Sequence, residues 1–303
     1  ELNLHQVKDI YETIRRDQIK GPAGELVRIE MFAHGALCMA ISGKCYLSLQ
    51  TYGASANRGA CYQLCRRGYE VTDLETGNQL NIDNKYIMSP KDLCTIEFMD
   101  KIIDAGVKVF KIEGRARSAE YVKRCAQCYR QAADAVCEGT YSPEFAKTLK
   151  DELSEVFNRG FWGAKLGEWS DVYGSHATRK KVYCGKVTNW FDRIGVAEIA
   201  VESEALTMGA KCMATGATTG VIEFTVNDLR VALKPAEKAE KGVRCSVAIM
   251  PENQGVRDGE VEKCDGTDSK SRADADAVLV NADGKIPVRL RRGDKIYIWE
   301  PND

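Results

Sequence analysis

The sequence predicts an α/β region followed by an all-β region, and three observations carry that expectation. Up to about residue 168, short apolar runs alternate with helical stripes, the order of a parallel βα arrangement. After Trp169 the helical period disappears and short strand-like runs separated by turns take over. A chain of 303 residues, 44% hydrophobic and 29% charged, is long enough for two ordinary domains with real cores. The expected boundaries are 1–168 for the α/β part, 169–179 for a linker and 180–303 for the β part. A complete eightfold (β/α) TIM-type barrel needs about 250 residues, so the first part reads as the C-terminal part of such a barrel. The second reads as a small closed β-barrel.

Taken in order, residues 4–19 carry an amphipathic stripe (Leu4, Val7, Ile10, Tyr11, Ile14) that Gly21-Pro22 ends. Because the chain opens at Glu1 without methionine, inside a helical pattern, it reads as a fragment. Leu26 to Ala33 reads as a strand, and alternation puts Glu30, Phe32 and His34 on one face. Residues 68–78 resemble a short hairpin or an irregular excursion. A helix is expected over 89–105, with Ser89 as cap, Pro90 at the first position and Gly106 as the stop. Val107 to Ile112 is a short strand closing in Glu113-Gly114-Arg115, with Lys111 and Glu113 alternating on it. Ser118 caps a long helix through Val136, ended by Gly139. Beyond it, strands are expected at 181–188, 195–201, 221–226, 229–233, 243–250, 277–280 and 295–299, with a polar surface excursion over 254–275.

The chemistry concentrates between Glu30 and Arg67. Cys38, Cys45, Cys61 and Cys65 are spaced C-x6-C and then C-x15-C-x3-C, among turn formers such as Ser42-Gly43 and Asn57-Arg58-Gly59. Core cysteines usually occupy apolar periodic positions, whereas glycine-rich loops let a backbone curl around a ligand. Cys94 falls in the first turn of the expected 89–105 helix, where free amides lower a thiol pKa, and so fits as a further ligand. All-thiolate sites suit iron–sulfur clusters and structural zinc alike. Only one pair here has the short spacer of a zinc knuckle, which favours 4Fe–4S and leaves zinc as the alternative. Cys125 and Cys128 form C-x-x-C inside a helical stretch, without the strand a redox motif needs, and read as packing residues.

Twelve cysteines, five of them between Cys38 and Cys94, in a chain able to bury a core argue for a reduced, cytoplasmic compartment rather than a disulfide framework. No apolar run approaches membrane-spanning length. The net charge of −1 gives no global basic field, so nucleic-acid contact has to come from local patches. Arg58, Arg66 and Arg67, interleaved with Tyr52, Tyr62 and Tyr69, form one. His34 and Glu30 on one strand, and Lys111, Glu113 and Arg115 on another, gather polar groups at strand carboxyl ends, where sites of βα folds lie. No H-E-x-x-H or G-x-S-x-G protease constellation is present.

The blocks Glu30-x-Phe32-x-His34-Gly35-Ala36-Leu37-Cys38, Ser42-Gly43-x-Cys45-x-Leu47-Ser48, Asn57-Arg58-Gly59-x-Cys61-x-x-x-Cys65-Arg66, Lys91-Asp92-Leu93-Cys94 and Lys111-Ile112-Glu113-Gly114-Arg115 resemble, in order, the signature of peptidase family U32, the collagenase-like proteins. Asn158-Arg159-Gly160-Phe161 extends the resemblance, and the β part is similar to the small barrel of translation factors. The resemblance implies an oxygen-independent hydroxylase. Its tRNA branch makes 5-hydroxyuridine at the wobble position with prephenate as hydroxyl source, and a sibling branch acts on a ribosomal cytidine. It implies a 4Fe–4S cluster, best mapped by block position onto Cys38, Cys45, Cys61 and Cys94, with Cys65 as a fifth thiol. His34, Lys111 and Arg115 would hold the carboxylates of the small co-substrate, with Glu30 and Glu113 beside them. The chain departs from the family in lacking the N-terminal barrel half and in a longer polar stretch before Lys285. A U32 peptidase and a zinc-stabilised RNA-binding module without catalysis are the rival readings.

Overall fold

Strand β1 (Ile29–Gly35) is the middle of the sheet that positions the site, paired in parallel with β5 (Val107–Ile112) and antiparallel with the short β4 (Leu93–Cys94). The computed structural model describes residues 2–40, 44–82, 89–115, 117–162, 174–249 and 289–302. They divide into two compact units, 1–177 and 178–303. Among the described residues no helix is long and apolar enough to cross a membrane.

The first unit is mixed α/β. Helix α1 (Leu4–Arg16) starts in a reciprocal capping box, the Asn3 side chain accepting from the Gln6 amide and the Gln6 side chain from the Asn3 amide. Its Val7 packs with Ile102, Ala105 and Val107. A short helix, α2 (Tyr46–Tyr52), lies in the cysteine loop, and β2 (Tyr69–Thr72) pairs with β3 (Gln79–Ile82) as the expected hairpin. Ser42-Gly43 lies outside the described residues.

The single helix expected over 89–105 is not formed. The segment gives β4, a 3-10 turn at Ile96–Phe98 and only then α3 (Met99–Asp104). Leu93 and Cys94 extend to pair with Gly35 and His34, and Ser89 and Asp92 turn inward to a buried arginine instead of capping. Helix α4 (Ala119–Glu138) follows with Ser118 at its N-cap and Gly139 at φ 71° beyond its end, the left-handed conformation that glycine adopts without strain. Helix α5 (Pro143–Ser154) was not anticipated, although Ser142, which accepts a hydrogen bond from the Phe145 amide, and Pro143 at the first position carry its start signal. Tyr121, Cys125, Cys128, Tyr129 and Ala132 of α4 and Leu149 and Leu153 of α5 form the core under β1 with Ala33, Ile96 and Met99. Cys125 and Cys128 are packing residues there, fully buried.

The second unit is an antiparallel sheet. Its strands are β6 (Arg179–Phe191), β7 (Val196–Val201), β8 (Leu206–Thr207), β9 (Lys211–Gly216), β10 (Gly220–Thr225), β11 (Leu229–Val231), β12 (Lys234–Pro235), β13 (Lys238–Ala239), β14 (Arg244–Ala248) and β15 (Lys295–Pro301). Eight of them run in the order β10-β9-β15-β6-β7-β14-β11-β12, and β13 pairs with β8. Among the described residues no pairing joins β10 to β12 to close the expected barrel. Alternation along β7, where Ala197, Ile199 and Val201 are buried, feeds a core with Cys184, Phe224, Val247 and Ile296. Strand β9 had no counterpart in the sequence reading, and the expected strand at 277–280, the excursion at 254–275 and residues 169–173 of the linker lie outside the described residues.

Candidate functional site

The end of β1 meets the end of β5 closely. The Glu113 amide donates to the His34 carbonyl at 2.9 Å, and Gly35 sits at φ 120°, where a Cβ would lie 2.7 Å from the Glu113 carbonyl oxygen. Only glycine fits that crossing.

Glu30 and His34 do not share an environment. A register shift between Phe32 and His34 interrupts the alternation, so Glu30 and Phe32 are exposed while Ala33 and His34 are both buried. Glu30 pairs instead with Lys111 at 3.3 Å, with about half of each side chain in water, and the Lys111 ammonium lies 4.8 Å from the Phe32 ring centre. An exposed pair of this kind contributes little stability. Glu113 accepts from the Arg115 amide at 3.0 Å, and the Arg115 side chain is exposed.

His34, 1% exposed, is held in an aromatic cage of Tyr121, Tyr129 and Phe161, with ring centres 5.5–5.8 Å away. Its Nδ1 is 3.4 Å from the Tyr129 hydroxyl, which donates to the Ala33 carbonyl at 2.7 Å and accepts from the Thr95 amide at 2.9 Å. Burial pushes the His34 pKa down to about 4; Asp92 pulls it up and Arg117 pushes it further down. The imidazole is therefore neutral at physiological pH.

Beside His34 lies a buried charge network that sequence reasoning missed. Asp92 Oδ1 accepts from Arg159 Nε at 2.9 Å and from Nη2, and Oδ2 accepts from the Arg159 amide at 3.2 Å and Arg117 Nη2 at 3.3 Å. Arg159 Nη1 donates to Ser89 Oγ at 2.6 Å. The segment is brought there by backbone pairing, the Asp92 amide donating to the Gly160 carbonyl and the Trp162 amide to the Asp92 carbonyl. Arg117 stacks on Phe157, 4.1 Å from the ring centre. The charges of Arg159, Arg117 and Asp92 also act on Arg66, whose Nε is buried without a hydrogen-bond partner. The legible trace of this network was the pair of blocks at 91–94 and 158–161; nothing local announced that Arg159 is buried.

Arg66 links the network to the thiols. Cys65 is half-buried, and the charges of Arg66, Cys38, Cys61 and Cys45 all bear on it, with burial pushing its pKa up. Cys38 and Cys61 are exposed and Cys45 is half-buried. Cys45 occupies the N-cap of α2, and the Ser48 amide facing it draws its pKa below the usual thiol value. The helix-start environment expected for Cys94 is thus found at Cys45. Cys94 itself is in a strand, buried, 3.9 Å from the Tyr129 hydroxyl, and desolvation pushes its pKa up to about 11. In exposure Cys65 resembles Cys38, Cys45 and Cys61, whereas Cys94 is buried. Free thiols of this kind are the donor type from which thiolate-held metal groups are built. Among the described residues, no three His, Cys, Asp or Glu side chains stand close enough together to hold a metal ion as placed.

A family model described as peptidase family U32 matches residues 1–168. A protein named collagenase, from Porphyromonas gingivalis strain W83, is 56% identical over 254 residues, covering 82% of this chain and 61% of that protein. The tRNA hydroxylation protein P1 of Bacillus subtilis is 35% identical over 173 residues, covering 54% of this chain and 41% of that protein. A 23S rRNA 5-hydroxycytidine synthase of Escherichia coli is 41% identical over 138 residues, covering 46% of this chain and 19% of that protein. The chain thus spans about three fifths of the first relative and less of the other two. With that family match over more than half of its length, the chain belongs to peptidase family U32.

Proposed function

We propose that this chain is part of an iron–sulfur-dependent enzyme that hydroxylates a tRNA pyrimidine without molecular oxygen, forming 5-hydroxyuridine at the wobble position in the cytoplasm. Residues 1–168 would then be the closing part of a (β/α) barrel, 169–179 a linker, and 180–303 a small translation-factor-like barrel that grips RNA. The observation that carries the reading is the run of free, solvent-accessible thiols Cys38, Cys45, Cys61 and Cys65 along one stretch of chain, in contrast to the buried Cys94. Relatives named for tRNA hydroxylation and rRNA hydroxycytidine synthesis support the reaction class.

Those four thiols would hold a 4Fe–4S cluster, with Cys94 in reserve as the alternative fourth. When bound, such a cluster supplies a redox centre tuned by the charges and hydrogen bonds around its sulfurs. Around Asp92, two guanidinium groups (Arg117 and Arg159) meet one carboxylate, an excess of positive charge that suits a small carboxylate co-substrate such as prephenate. His34, neutral and caged, orients without carrying charge, and Arg115 and the Lys111–Glu30 pair stand at the strand ends as further contacts for anionic substrate.

The second reading, a peptidase, is favoured by the 56% identity to a protein named collagenase. Against it, the histidine of the network is 1% exposed and touches a tyrosine rather than a nucleophile. A zinc-bound RNA module would use the same thiols. Anaerobic purification of the full-length protein with iron, sulfide and zinc assays separates these readings. It is to be combined with mass spectrometry of tRNA nucleosides from cells lacking the gene and complemented with each variant. Iron and sulfide in stoichiometric amount are expected. The unmutated protein should restore 5-hydroxyuridine derivatives, Cys45→Ala should lose both cluster and product, and Arg115→Ala should lose product while keeping the cluster. Zinc without sulfide, or peptide cleavage by iron-free protein, would overturn the hydroxylase reading.

A further inference from the structure

Helix α2 is amphipathic in the wrong sense for a surface helix. Its buried residue is Ser48, fully enclosed, while Tyr46, Leu49 and Tyr52, three apart and so on one face, are 73%, 50% and 49% exposed. Isolated exposed apolar side chains are ordinary, but these are organised. Tyr62, 50% exposed, packs its ring against Tyr52 with centres 4.8 Å apart and planes tilted by 40°. Arg67 places its guanidinium 5.6 Å from the Tyr52 ring centre, and its Nη1 donates to the Tyr52 hydroxyl at 3.0 Å. The tyrosines are thus held by one another and by an arginine while their outer faces stay open.

The charge around them has one sign. Between Glu30 and Glu70 the sequence contains no acidic residue and four cations, Lys44, Arg58, Arg66 and Arg67, in a chain whose net charge is −1. A two-fold interface on this face would set like charges against each other, whereas a phosphate backbone is matched by them. Exposed rings set among cations form the pattern by which single-stranded nucleic acid is bound, with bases stacked on aromatics and phosphates met by Arg and Lys.

We propose that the outward face of α2, with Tyr62 and Arg67, is a stacking platform for unpaired bases of an RNA loop. The proposal rests on the reading of the protein as an RNA-modifying enzyme and adds where the RNA lies. Because Cys45 is the N-cap of α2, a loop seated on the platform is presented next to that thiol.

The test uses the full-length protein with a fluorescein-labelled anticodon stem–loop and a labelled oligouridine, followed by anisotropy over a range of salt. Tyr52→Ala and Tyr62→Ala should each weaken binding by about 5- to 150-fold, the loss of one base–aromatic stack. Tyr52→Phe and Tyr62→Phe should stay within about twofold, because the π-face is kept. Arg67→Gln should lower the slope of log affinity against log salt by about 0.7, one phosphate contact on a single strand. Iron content and sedimentation mass should match the unmutated protein; if an alanine variant loses iron, Tyr46→Ala, at the most exposed ring, decides instead. Unmutated protein that binds RNA with alanine variants that bind equally well would overturn the platform and leave the hydroxylase reading standing. Failure of the unmutated protein to bind either RNA would overturn both. A change of sedimentation mass on losing the tyrosines, with RNA binding intact, would make the face a self-association surface and overturn the proposal.

Discussion

Arg159 holds Asp92 through Nε, Nη2 and its own backbone amide, and both side chains are almost wholly excluded from water. Such a pair is a weak source of net stability, but removing one partner leaves an uncompensated buried charge. Asp92→Asn should therefore destabilise the α/β unit by about 3–5 kcal/mol. Urea unfolding followed by ellipticity at 222 nm reports on this unit, since every described α-helix belongs to it. A loss below about 1 kcal/mol would mean that water already screens the Arg159 and Arg117 guanidinium groups.

His34 makes stability depend on pH with a definite sign. Its folded pKa, about 4, lies below the ordinary value near 6.5, so between these values the unfolded chain binds a proton that the folded one refuses. The stability it contributes is complete above about pH 6.5 and is lost as pH falls through about 4, to the extent of about 3 kcal/mol. His34→Gln should flatten the stability profile over that window relative to the unmutated protein. Parallel profiles would show that His34 is protonated in the fold.

Gly35 carries the crossing of β1 and β5. Gly35→Ala combines a φ of 120°, unfavourable for a side chain, with a contact of 2.7 Å to the Glu113 carbonyl oxygen. The expected loss is about 1–3 kcal/mol in the same urea experiment. A crystal structure of the variant should show Glu113 displaced; an undisturbed Glu113 with full stability would contradict the argument.

The difference in exposure between Cys65 and Cys94 predicts which cysteine matters for metal. Cys65→Ser should lower iron per chain to the level of Cys45→Ser after anaerobic reconstitution, while Cys94→Ser should retain iron. The reverse pattern would restore Cys94 as the fourth ligand and require the loop and β4 to come together when metal binds.

Local chemistry in the sequence was enough for the elements whose signals are contiguous. The Val107–Ile112 strand, the helix between Ser118 and Gly139, and the alternation of β7 follow from turn formers, the glycine stop and periods that act over a few residues. The cysteine loop was likewise visible as thiols set among turn residues. The site itself depended on contacts between distant segments. Residues 89–94 carry good helix-start signals, yet pairing of Leu93 and Cys94 with β1 and the grip of Arg159 on Asp92, 67 residues away, hold them extended. Alternation put His34 beside Glu30, and one register shift at Phe32 turned it inward to Tyr129, 95 residues away. Propensity and period are short-range, whereas burial of a charge or an imidazole is settled by whichever distant partner can satisfy it, and that choice belongs to the tertiary structure.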